Sequence, residues 1–130
     1  MHTIIVIDDN PLHGRLFRDI LEQYGYRVLL AAEGAEGLAM ARRAMPHLMI
    51  IDCYLPGEHA LQTVRTACAD RLAYPMPIVA TSAFADADEC DGLEAFGCAA
   101  YVPKPLSLGS FIATVKKVLG EQAVAQQAAA

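Results

Sequence analysis

Five side chains, widely spaced along the sequence, have the makings of one reaction centre: the adjacent carboxylates Asp8 and Asp9, a third carboxylate at Asp52, the hydroxyl of Ser82 and the ammonium of Lys104. Three carboxylates gathered in one crevice repel, since unit charges about 4 Å apart interact by roughly 4 kcal/mol at an effective dielectric of 20. A divalent cation removes that cost. Two or three carboxylates, a backbone carbonyl and waters suit Mg²⁺, an octahedral, oxygen-seeking ion that keeps part of its hydration shell. A carboxylate flanked by Mg²⁺ and a lysine can attack a phosphoryl group, because both cations offset charge on the transferring oxygens. Singly, each residue has an ordinary explanation. Asp8-Asp9-Asn10 is good turn and helix-capping chemistry, Ser82 reads as a loop hydroxyl, and a lone lysine is usually solvated. Only a fold that brings the five together makes them a site.

The elements between them predict such a fold. Short β-branched or apolar runs at Thr3–Ile7, Arg27–Ala32, Leu48–Ile51, Pro77–Thr81 and Ala99–Val102 have the unbroken apolar character of strands covered on both faces. Between and after them lie helical spacings, clearest at Leu12, Leu16, Phe17, Ile20, Leu21 and Tyr24, and at Leu108, Phe111, Ile112, Val115, Val118 and Leu119. Residues 34–44 and 58–70 read as second and third helices, with Asp86 opening a fourth. The punctuation agrees: Asn10 can cap the first helix with Pro11 in its first turn, Gly25 can end it, Gly97 and Gly120 offer the same stop later, and Ser107 can cap the last helix. The order is (βα)₅. Right-handed crossovers then predict an α/β fold with a doubly wound, five-stranded parallel sheet of flavodoxin-like order 2-1-3-4-5. In such a sheet every strand's C-terminal end lies on one edge. Asp8 and Asp9 follow the first run, Asp52 the third and Ser82 the fourth, with Lys104 just beyond the fifth, so all five converge.

At 130 residues the chain has room for one compact domain, expected over residues 1–120, with an Ala/Gln-rich tail over residues 121–130. A composition of 55% hydrophobic and 19% charged residues suits a packed globular domain rather than a disordered one. Ten basic against 15 acidic residues give a net charge of −5, and the only adjacent basic pairs, Arg42-Arg43 and Lys116-Lys117, sit in predicted helices. That is no footprint for direct DNA binding. Cys53, Cys68, Cys90 and Cys98 show no C-x-x-C spacing and the four histidines no H-x-x-H pair, which argues against zinc and for a reduced, cytoplasmic protein. The apolar run Ile4–Ile7 is too short for a signal-peptide core, and nothing approaches a membrane span of about 20 apolar residues.

The motifs V-I-D8-D9-N, M-I-I-D52, S82-A83 and Y101-V-P-K104-P105 resemble the receiver domain of bacterial two-component response regulators, over about residues 3–120. Within that family, S-A-F-A near residue 84 and G-C-A-A-Y-V-P-K-P are most similar to stand-alone, DivK-like cell-cycle regulators. The resemblance implies that Asp52 accepts the phosphoryl group and that Asp8, Asp9 and Asp52, with the backbone carbonyl of Tyr54, hold Mg²⁺. It implies that Ser82 moves to the phosphoryl oxygen, that Lys104 pairs with it, and that Tyr101 follows Ser82 as a switch. Thr81 is a competing hydroxyl, but the family places its hydroxyl directly before a small residue, here Ala83. The implied partners are a histidine kinase or histidine phosphotransfer protein upstream and a target protein downstream. A cis Lys104-Pro105 bond is also predicted, as is shielding of the phosphate by Tyr54 and Phe84. One departure is Ala60, where the family usually has glycine. A Leu55-Pro56-Gly57-Glu58 turn is expected to rebuild that loop. Two other functions are weighed: a haloacid-dehalogenase-like phosphatase, which would need a D-x-D after the first strand instead of D8-D9-N10, and a receiver-like interaction module that takes no phosphate.

Overall fold

The computed structural model describes residues 2–52, 76–82, 99–103 and 107–120, with the backbone alone for Ser82, Tyr101 and Pro103. Its elements run β1 (Thr3–Ile7), α1 (Pro11–Gln23), β2 (Arg27–Ala31), α2 (Gly34–Ala44), β3 (Leu48–Asp52), β4 (Ile78–Ser82), β5 (Ala100–Pro103) and α3 (Leu108–Leu119). All strand pairings are parallel, in the order β2-β1-β3-β4-β5. This is the doubly wound order expected from the sequence. The two helices predicted from residues 58 and 86 onward, the turn at Leu55-Pro56-Gly57-Glu58 and Ala60 lie outside the described residues.

Period-two alternation in the strands builds two cores, one on each face of the sheet. Ile4 and Val6 of β1, Leu48 and Ile50 of β3, and Val79 of β4 pack with Phe17 and Leu21 of α1 and with Phe111, Ile112 and Val115 of α3. Phe17 and Phe111 join those two helices through tilted rings with centroids 5.3 Å apart. Ile5, Ile7, Met49, Ile51, Ile78 and Ala80 point the other way, against Leu38 and Ala41 of α2. Each buried apolar side chain contributes about 1.5–3 kcal/mol, so the sheet is held from both sides.

The helix ends follow local chemistry. Asn10 caps α1 by accepting from the backbone N–H of Leu12 at 2.9 Å and of His13 at 3.4 Å, with Pro11 at the first helical position. Gly25 and Gly120 take positive φ after α1 and α3. Ser107 stands at the start of α3 without a side-chain cap bond.

The end of α2 is unusual. Met45 occupies the left-handed region at φ 48° and is 55% exposed, donating its N–H to the Ala41 carbonyl. A side chain with a Cβ is strained there, and Met45 buries too little to compensate. Met45→Gly is therefore expected to raise stability by about 0.5–1 kcal/mol, read as a higher urea midpoint with an unchanged slope. A lower midpoint would mean that the methionine side chain holds the turn.

Candidate active site

The site forms at the C-terminal edge of the sheet, where β1 and β3 run side by side with Ile7 paired to Ile51. One residue further along each strand come Asp8 and Asp52, and Asp9 follows Asp8. The structure brings these three together: one carboxylate oxygen from each lies within 4.8 Å of the others. Asp8 and Asp52 are buried, at 5% and 8% exposure, whereas Asp9 faces solvent.

Each carboxylate is positioned by the backbone beneath it. The Asp8 N–H donates to the Ala31 carbonyl at the end of β2, which anchors the chain just past β1. One Asp8 oxygen, Oδ1, accepts the Asn10 N–H at 2.9 Å, while Oδ2 lies 3.8 Å from His13 Nδ1, too far for a hydrogen bond. Asp8 and the cap of α1 are thus one hydrogen-bonded unit. Asp52 is the last residue of β3 rather than the first after it, so regular pairing with β4 fixes its backbone.

The donor set fits Mg²⁺. Three hard carboxylate oxygens at this spacing can occupy corners of one octahedron, in which ligands at 2.0–2.1 Å from the ion lie about 3–4 Å from each other. No nitrogen or sulfur donor joins the group among the described residues. The exposed side at Asp9 leaves room for waters. Asp8 and Asp9 also open onto a cavity of about 420 Å³ between the ends of β1 and β2 and the starts of α1 and α2, floored by Val6, Gly14, Leu30 and Ala31, with Arg15 and Glu36 among its lining.

The two candidate hydroxyls separate. Thr81 is the backbone partner of Asp52 across β3 and β4, is 1% exposed, and donates a long 3.5 Å bond to the Ile51 carbonyl. That hydroxyl is already engaged with the sheet. Ser82, the final residue of β4, stands one step nearer the edge, with its backbone paired to Pro103. Tyr101 lies within β5, opposite Ala80. Tyr54, Phe84, Lys104 and the Lys104-Pro105 bond lie outside the described residues.

His13 is the neighbour that sequence reasoning missed. The spacing of the histidines speaks only to zinc, yet the third position of a helix that follows an acidic pair brings a side chain back toward that pair.

Comparison with known proteins agrees with this geometry. Residues 4–116 match the response regulator receiver domain. The polar-differentiation response regulators DivK of Brucella ovis and Brucella abortus are 34% identical over 119 residues, covering 92% of this chain and 97% of theirs. A CheY-like receiver domain protein from Methanospirillum hungatei superposes with a TM-score of 0.84 at 26% identity, over 95% of this chain and 97% of that one. A response regulator from Thermotoga maritima gives 0.82 at 26% identity, over 92% and 98%. With the sheet order, the acidic edge and these relatives in agreement, the chain belongs to the response regulator receiver family.

Proposed function

We propose that this chain is a phosphorylation-controlled receiver whose phosphoacceptor is Asp52. The observation that carries the reading is the gathering of Asp8, Asp9 and Asp52 within 4.8 Å at the sheet edge, two of them buried. Mutual repulsion makes such a cluster costly unless a cation is used there. Asp8, Asp9 and Asp52, with the carbonyl of Tyr54, would hold Mg²⁺, which when bound offsets charge on a phosphoryl group and so favours attack by a carboxylate.

An Asp52 oxygen forms the bond to phosphorus while the phosphorus–nitrogen bond of a donor phosphohistidine breaks, and the freed imidazole keeps the electron pair and takes a proton from solvent. Lys104 and Ser82 then bind the new phosphoryl oxygens, and Tyr101 responds to the movement of Ser82. Water later removes the phosphate, slowly if Tyr54 and Phe84 shield it. The donor is a histidine kinase or histidine phosphotransfer protein. The signal leaves by protein–protein contact with a target in the cytoplasm rather than by direct DNA binding, and residues 1–120 form the responding unit. No helix among the described residues is long and apolar enough to cross a membrane.

Incubation with acetyl phosphate and Mg²⁺, followed by peptide mass spectrometry, tests this reading. A phosphoryl adduct on the peptide containing Asp52, absent when EDTA replaces Mg²⁺, is the expected result. An unmodified chain would instead make it a receiver-like interaction module.

A further inference from the structure

A second site-like arrangement lies at the opposite end of the same strands. The regular pairing of β1 with β3 begins at Ile4 and Leu48, yet the contact continues one residue further out. There the His47 backbone N–H donates to the Thr3 carbonyl at 2.7 Å, and the Thr3 N–H donates to His47 Nδ1 at 2.9 Å. The imidazole takes the place that a strand carbonyl would fill. It supplies the acceptor for the first amide of β1, whose partner strand begins only at Leu48.

This bond fixes the chemistry of the ring. Nδ1 must present its lone pair, so the neutral ring carries its proton on Nε2. Protonation gives the ring its second N–H, on Nδ1, facing the Thr3 N–H donor to donor, and the bond is lost. His2 lies edge-on to the His47 ring with centroids 4.7 Å apart, and Tyr26 lies 6.4 Å from His2. Arg27, the next residue, donates its backbone N–H to the His2 carbonyl at 2.9 Å. Among the described residues no carboxylate pairs with His47, and its exposed side chain meets solvent protons directly.

We infer that His47 is an acid-sensitive latch on the start of β1, closed while the imidazole is neutral and opened by its protonation. The latch goes beyond the phosphorylation reading and does not depend on it. It lies at the far end of strands whose other ends carry Asp8 and Asp52. Its strength is that of one hydrogen bond, so opening frees the first residues of β1 without unfolding the sheet.

Amide hydrogen exchange by NMR on the whole chain, at about pH 7.5 and about pH 5, tests it, with rates converted to protection factors so that the intrinsic pH dependence drops out. Thr3 is expected to lose about tenfold in protection at the lower pH while Ile5, in the middle of the same strand, keeps its own. In His47→Asn the carboxamide oxygen stands where Nδ1 stood and cannot be protonated, so Thr3 should stay protected at both pH values. In His47→Leu it should be unprotected at both. Constant Thr3 protection in the wild type would overturn the latch, as would an equal acid loss in His47→Asn. A parallel fall at Ile5 would also overturn it, since that is general acid unfolding.

Discussion

Asp52→Asn is expected to abolish phosphorylation by acetyl phosphate and Mg²⁺ while leaving a cooperative thermal transition in place. The amide has the size and shape of the carboxylate, so β3 keeps its pairing with β4 up to its last residue. What is lost is the anionic oxygen that, on the proposed reading, attacks phosphorus, and an amide is no substitute nucleophile. Stability should hold or rise by about 1 kcal/mol. Replacing Asp52, 8% exposed and grouped with two other carboxylates, removes a charge that costs desolvation and repulsion when no cation is bound. On the proposed reading Mg²⁺ should raise the melting temperature of the wild type, and by less in the variant, which has lost one of the expected ligands. A persistent adduct in Asp52→Asn would move the phosphoacceptor elsewhere. A lost transition would make Asp52 a structural residue.

Gly37→Ala should cost about 1–2 kcal/mol, or about 5 °C in melting temperature, although alanine is the better helix former. At Gly37 α2 comes so close to β1 that an added Cβ would overlap Cγ1 and Cδ1 of Ile7. Ile7 is fully buried and cannot swing into solvent, so the overlap outweighs the gain of about 1 kcal/mol in helix propensity. The displacement reaches the site as well. Ile7 immediately precedes Asp8, so Mg²⁺ affinity should fall together with stability. Gly14→Ala is the internal control: a Cβ there would meet Leu30 at 3.7 Å, an ordinary contact, and the variant should be neutral or slightly more stable. Equal behaviour of the two variants would remove the special role of the α2–β1 approach.

Most of what positions the site was legible in the sequence because it rests on local signals. Apolar runs gave every described strand to within one residue at either end. Asn10 followed by Pro11 marked the start of α1, and glycine marked the stops at Gly25 and Gly120. Asp8 and Asp52 were recognisable because a parallel sheet brings its strand ends to one edge whatever their separation in the chain. Features set by contacts between distant residues were hidden. The glycine requirement at position 37 depends on Ile7, and the role of His47 depends on Thr3, 44 positions away. Two helix ends stand where expected but depart from the usual capping chemistry. Ser107 has the right chemistry for a cap but makes no side-chain cap bond, and α2 ends on a methionine in a conformation that glycine usually supplies. Thr81 and Ser82 could not be told apart by type. The structure shows only that Thr81 is buried and bonded to the Ile51 carbonyl.

The two-sided burial of β3 bears on how this domain can drift during evolution. Where one face of a strand is wet, gaining or losing a single residue turns greasy side chains outward, and the fold itself rejects the change. In β3 every position from Leu48 to Ile51 is apolar and buried, with Leu48 and Ile50 facing one core and Met49 and Ile51 the other. A residue gained in β3 would exchange one set of aliphatic side chains for another of similar size, a mild penalty, whereas a residue lost would draw the Asp52 carboxylate into the fully buried place of Ile51. Asp52 would meanwhile move by about 3.3 Å and change faces, leaving the acidic group. In this strand, then, a residue gained would cost the placement of the carboxylate before it cost much packing, so the scaffold could outlast the proposed chemistry.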